Sequence, residues 1–241
     1  MATTPAQRVR MRKLAEMQST SIEKPRKDIN LYEQMMAMLY DHKRTLKKIQ
    51  SIAAKGQQKA IFLEDYRPYI DGVLSADTGE QDEIITTVMI WSIDAGFIED
   101  ALTIASYIMR HKMQLPDRFN RTINVVIAEE ISELALKPDT PVLPEHLTAL
   151  YELIGKTDMP DQVRVKLEKA CGLGLTESAP EAALQYLKNA IALSDRCGVK
   201  QQIKALEKQL QSDDQKSEDE KSEDEKSEDE QNSDSADTPE S

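Results

Sequence analysis

The chain has no run of about eighteen apolar residues, so it offers no transmembrane helix. Its basic first twenty residues lack an apolar core segment and so do not form a secretory signal. A soluble, intracellular protein is expected. Only two cysteines occur, Cys171 and Cys197, with no C-x-x-C between them, which fits a reducing compartment. The three histidines, His42, His111 and His146, lie too far apart for a zinc-ligand pattern. No G-x-x-x-x-G-K-[ST] is present, which excludes a P-loop ATPase. Aromatics make up only 5% of the 241 residues, so the core must be aliphatic and modest.

What is abundant is charge, and it is unevenly placed. The net charge of −12 conceals a basic head: residues 1–63 hold 13 Lys and Arg against 5 Asp and Glu, a net of +8. Residues 213–241 hold 3 Lys against 14 Asp and Glu, a net of −11. A basic head on an acidic body points to a nucleic-acid-facing N-terminus.

The stretch from Gln81 to Lys112 organises the rest. Ile84, Ile85, Val88 and Trp91 share one helical face, and Gly96 supplies the permissive backbone that ends this helix. Ile98, Ala101, Leu102, Ala105, Ile108 and Met109 then stripe a second helix. Two helices joined so tightly lie nearly antiparallel.

Upstream, residues 1–28 read as a flexible basic arm carrying Arg8, Arg10, Arg12, Lys13, Lys24, Arg26 and Lys27. Residues 29–60 read as one long helix. Met35, Met38, Leu39, His42, Leu46, Ile49, Ile52 and Ala53 form its stripe, and Lys43, Arg44, Lys47, Lys48, Lys55 and Lys59 decorate its other faces. That stripe packs on the core or on a twin helix, and His42 is read as a packed side chain. No helix-turn-helix with its glycine turn is visible. Pro68, Gly72 and Gly79 make residues 61–80 a connection.

Downstream, Ile123, Ile127, Ile131 and Leu134 stripe a third helix, which Pro138 and Pro141 stop. Shorter helices follow, striped by Leu147, Leu150 and Ile154, then by Val163, Leu167, Ala170 and Cys171. A final hairpin carries Ala183, Leu187 and Ile191, a stop at Gly198, then Val199, Ile203 and Leu206. The fold class is therefore all-α, with helical hairpins that are tetratricopeptide-like in part. A long basic amphipathic helix precedes a hairpin body at 61–212, and both termini are disordered. The tail, 213–241, repeats KSEDE three times and has the composition of a disordered acidic segment. It is a solubilising tail, a polyanion that competes with DNA for the basic arm, or a docking tail for a basic partner.

The stretch TVMIWSIDAGFIEDALTIASYIMRHKMQLPDRFNRT, with AEEISELAL after it, resembles the small terminase subunit family of tailed phages with cohesive genome ends. YEQMMAMLYDHKRTLKKIQS, YRPYIDGVL, MPDQVRVKLEKACGL and GVKQQIKALEKQL agree in order, so the resemblance covers about residues 28–211. It implies a protein of a phage or prophage, acting in the bacterial host cytoplasm. Such a protein binds double-stranded viral DNA at the cohesive-end site and recruits the large ATPase subunit for cleavage and packaging. It also implies a homo-oligomeric ring, for which the Met35–Ile52 stripe is the candidate contact. The DNA-binding candidates are the seven arm cations with Lys43, Arg44, Lys47 and Lys48.

Members of the family carry an endonuclease-subunit label. A nuclease needs carboxylates converging on Mg²⁺. The acidic pairs Glu64-Asp65, Asp82-Glu83, Glu99-Asp100 and Glu129-Glu130 fall instead at helix starts or on helix faces. No D…E-x-K pattern on a strand and no histidine cluster accompanies them. A non-catalytic recognition subunit without cofactor is therefore expected. On the alternative, an intrinsic metal-dependent endonuclease, Mg²⁺ enters and Asp71, Asp82, Glu83 and Asp94 are the first suspects. The second alternative is a helical-repeat adaptor that binds no DNA.

Overall fold

The computed structural model describes residues 4–19, 29–115 and 121–212. Every regular element among them is helical. In chain order these are α1 (Pro5–Ser19), α2 (Ile29–Lys48), α3 (Ile52–Ala76), α4 (Glu83–Ala95), α5 (Ile98–Arg110), α6 (Ile123–Ala135), α7 (Pro144–Ile154), α8 (Asp161–Gly174), α9 (Pro180–Leu193) and α10 (residues 200–212). No helix among the described residues is long and apolar enough to cross a membrane. The acidic tail and the arm residues Lys24, Arg26 and Lys27 lie outside the described residues.

The central hairpin forms as the apolar pattern demands. Ile84, Ile85, Val88 and Trp91 of α4 and Ile98, Ala101, Ala105 and Ile108 of α5 are all buried. Gly96 takes the left-handed conformation at φ 84°. Its N–H reaches Ile93 O at 3.0 Å and that of Phe97 reaches Ser92 O at 2.8 Å, the paired bonds of a Schellman turn. Helix α3 packs on α4, and α5 touches α6 and α7. In the second hairpin, α8–α9, the two helices approach closely. A Cβ on Gly172 would lie 2.5 Å from Leu187 Cδ2 and 3.1 Å from Ala183 O, so only glycine lets these backbones approach.

Three expectations change. The long helix expected over 29–60 is broken at 49–51. Ser51 adopts extended geometry and accepts from the Ala54 N–H at 3.3 Å, which caps a new helix. Ile52, expected on the buried stripe, is 85% exposed. The connection expected over 61–80 is helical as far as Ala76, with Pro68 inside α3. Proline there leaves the Glu64 carbonyl without its helical N–H partner. Burial of Leu63, Tyr66, Tyr69, Ile70 and Val73 on the same helix outweighs that loss. Finally, residues 5–19 of the arm expected to be flexible form α1, which lies along α3.

The stripe of α2 is used within the chain. Met35, Leu39 and Leu46 are buried in the same core as α3 and α4. The stripe expected to serve as a subunit contact is therefore already covered. His42 extends this packing: its ring stacks on Phe62 with centroids 3.7 Å apart and shares a 2.9 Å hydrogen bond with the Tyr66 hydroxyl. Tyr66 in turn meets Trp91 edge-on, so an aromatic chain ties α2 to α3 and α4.

Burial lowers the pKa of His42 below its ordinary 6.5, against a weaker opposing pull from Asp65 and Asp41. The unfolded chain then takes up this proton more readily than the folded one. Stability from this site is complete above pH 6.5 and falls as the pH drops through that value towards the folded pKa. Urea midpoints measured between about pH 7.5 and 5.5 should show this decline, and His42→Phe should flatten it.

Candidate nucleic-acid interface

Helices α2 and α3 diverge from the break at 49–51 and leave an open groove between them, with α4 beneath. Its volume is about 840 Å³, and five cations line it: Lys43, Arg44 and Lys47 from α2, Lys55 and Lys59 from α3. The helical period explains the α2 set, since positions 40, 43, 44 and 47 lie on one side. The other lining residues are Tyr40, Asp41, Leu46, Glu83 and Trp91.

The cations differ in how fully they are engaged. Lys43 pairs with Glu83 at 2.8 Å, and Lys59 pairs with Asp94, so α4 holds one lysine near each of its ends. Arg44 pairs with Asp41 at 3.0 Å on the solvent side, where such a bond contributes little. Lys47 and Lys55 have no carboxylate within ion-pair distance among the described residues. Lys48 is exposed beside the groove without lining it. Arg8, Arg10, Arg12 and Lys13 are exposed on α1, which packs on the helix that carries Lys55 and Lys59. Among the described residues, the α1 cations and the groove cations thus stand on helices in mutual contact.

Lys55 and Lys59 were not among the sequence candidates for DNA contact. The signal that reveals them is Ser51, whose capping role turns the chain and brings the start of α3 opposite the end of α2. Tyr40 was also missed as a lining residue, because it lies off the apolar stripe of α2, whereas Trp91, read as core, is buried and only borders the groove.

The four carboxylates suspected of catalysis do not converge. Asp82 is buried: its Oδ1 accepts from the Ile84 and Ile85 N–H groups at 2.7 and 3.4 Å, and its Oδ2 accepts from the Tyr69 hydroxyl at 2.5 Å. It caps α4. Glu83 and Asp94 are the partners of Lys43 and Lys59. Asp71 is exposed on α3, in a shallow pocket with Arg67 and Asp100. Of the other acidic pairs, Asp100 meets Arg67 at 3.3 Å, and Glu129 meets Arg121 at 3.3 Å and Lys166 at 3.2 Å. Glu130 is partly buried, which raises its pKa, and Asp94 and Glu133 push it the same way. Among the described residues no group of three or more His, Cys, Asp or Glu is placed to hold a metal ion. The other two histidines also have structural partners. His111 bonds Asp77 at 2.8 Å, and His146 Nδ1 accepts the Leu143 N–H at the start of α7.

Fold and groove together define an all-helical protein whose N-terminal helices present a cationic cleft. Residues 36–162 match the phage small terminase subunit family. A protein of Escherichia phage P2 named "Terminase, endonuclease subunit" is 38% identical over 216 residues, covering 86% of this chain and 86% of that protein. The chain belongs to the phage small terminase subunit family. No solved structure matches it.

Proposed function

We propose that this protein is the DNA-recognition subunit of a phage or prophage terminase. It binds the cohesive-end site of concatemeric double-stranded viral DNA through its basic head. It also brings the large ATPase subunit to that site for cleavage and packaging in the host cytoplasm. The observation that supports this reading most is the groove itself. Lys47 and Lys55 line it from its two helices without an ion-pair partner among the described residues, in a chain that is otherwise strongly acidic. Phosphate neutralisation by such cations releases condensed counterions and gives salt-sensitive affinity. Sequence choice must come from other contacts, because phosphate contacts position without specifying.

The reading assigns no cofactor and no intrinsic cutting chemistry to this chain. It takes the word "endonuclease" in the P2 protein's name to describe the assembled complex. The dispersal of Asp71, Asp82, Glu83 and Asp94 supports that choice. Self-assembly into a ring belongs to the same reading and must use surfaces other than the buried α2 stripe.

The test is to mix purified protein with cohesive-end duplex and Mg²⁺, without the large subunit. Salt-dependent retention with intact strands is expected. Specific nicking would make the protein the nuclease. No retention even at low salt would leave a helical adaptor.

A further inference from the structure

The groove carries one feature that duplex binding does not use. Tyr40 lines it and is 66% exposed, an aromatic ring held among Lys43, Arg44 and Lys47 on the same side of α2. A single exposed aromatic is ordinary on a protein surface. An exposed ring inside a cationic cleft is different, because the combination of stacking platform and phosphate-tracking charge is what single-stranded nucleic acid requires. Trp91 lines the cleft too, on α4 beneath.

The alternatives elsewhere carry less. The pocket formed by Leu74, Leu102, Tyr107, Arg110 and Leu153 has nothing to say what would fill it. The buried Glu168 already accepts from Tyr151 and Asn189, at 2.9 and 3.3 Å.

We propose that the α2–α3 groove is a single-stranded DNA site, in which an unpaired base stacks on Tyr40 while Lys47 and Lys55 hold the flanking phosphates. In a duplex the faces of the bases are covered by their neighbours, and a tyrosine ring meets only edges. An unpaired base offers its face. A duplex can rest on the groove cations, whereas an unpaired strand can also lay a base against the exposed ring. Arg44 keeps its pairing with Asp41, and Lys43 and Lys59 keep Glu83 and Asp94. Of the five cations that line the groove, this leaves Lys47 and Lys55 without an ion pair among the described residues to give up to a phosphate. The site rests on the proposed DNA-binding role of the same groove and adds the strand state that it takes.

The test compares the full chain with Tyr40→Ala, Tyr40→Phe and the double variant Lys47→Glu/Lys55→Glu. Fluorescence anisotropy reads binding to a labelled oligo-dT strand and to a duplex of equal length. Tyr40→Ala should weaken oligo-dT binding roughly five- to a hundredfold and leave duplex binding unchanged, while Tyr40→Phe stays near wild type. The lysine variant should weaken both. Equal oligo-dT binding by wild type and Tyr40→Ala overturns the inference, with duplex binding and its lysine dependence still standing. So does an equal loss on both ligands. If neither ligand binds the wild-type chain, the DNA-recognition reading itself fails. Because Tyr40 is mostly exposed, its variants should keep the wild-type circular dichroism and melting profile.

Discussion

Asp82→Ala should destabilise the protein by about 2–4 kcal/mol. Two losses combine: the cap on α4, worth roughly 0.5–2 kcal/mol, and the charged acceptor of the Tyr69 hydroxyl, worth roughly 1.5–3 kcal/mol. Both occur at a residue that is 6% exposed, so water replaces neither fully. The melting temperature should fall by roughly 5–15 °C for a chain of this size. Asp82→Asn keeps an acceptor for the Ile84 N–H and should cost about 1 kcal/mol. The pair of variants separates a structural carboxylate from a catalytic one. If Asp82 is only a cap, Asp82→Asn supports cohesive-end cleavage by the complete terminase as the wild type does. Wild-type stability in Asp82→Ala would show that the cap and the Tyr69 bond do not hold the α3–α4 junction.

Reversing charge in the groove should have the largest effect on DNA. Lys47→Glu/Lys55→Glu should weaken duplex binding roughly ten- to a hundredfold near 0.1 M salt. It should also make the slope of log K against log salt shallower by about 2, one contact for each lysine. The loss should be of similar size on cohesive-end and unrelated duplexes, since these side chains read phosphate. Folding should be unaffected, because neither lysine takes part in a protein ion pair among the described residues. The same substitutions on Lys204 and Lys208, exposed on α10, provide the control and should change neither affinity nor slope.

Much of this fold is visible in the sequence, and the reasons are local. Gly96 between two apolar stripes announces the α4–α5 hairpin, because a left-handed cap needs glycine and the stripes need each other. Pro144, Pro160 and Pro180 stand at or just before helix starts, where their fixed φ and missing N–H are harmless. What could not be read depends on tertiary contacts. Ile52 continues the period of α2, yet Ser51 has already turned the chain, so the period passes through a break without showing it. Pro68 looks like a helix stop, yet a well-buried helix tolerates one missing hydrogen bond. These two misreadings hid the groove, since Lys55 and Lys59 can be placed opposite Lys43 and Lys47 only once α3 is known to begin at Ile52 and to fold back. Tyr40 was hidden for a different reason: it lies off the apolar stripe of α2, and periodicity does not show that an off-stripe aromatic borders a cleft.

Lysine reactivity, read by mass spectrometry with and without cohesive-end duplex, tests the location of the interface most directly. Amine-modifying reagent should label Lys47 and Lys55 in the free protein, and DNA should protect both, with partial protection of Lys43 and Lys59, which keep their carboxylate partners. Lys204 and Lys208 should react alike in both states. Protection of the α10 lysines, with Lys47 and Lys55 still fully reactive in the complex, would contradict a groove interface and move the DNA to α10.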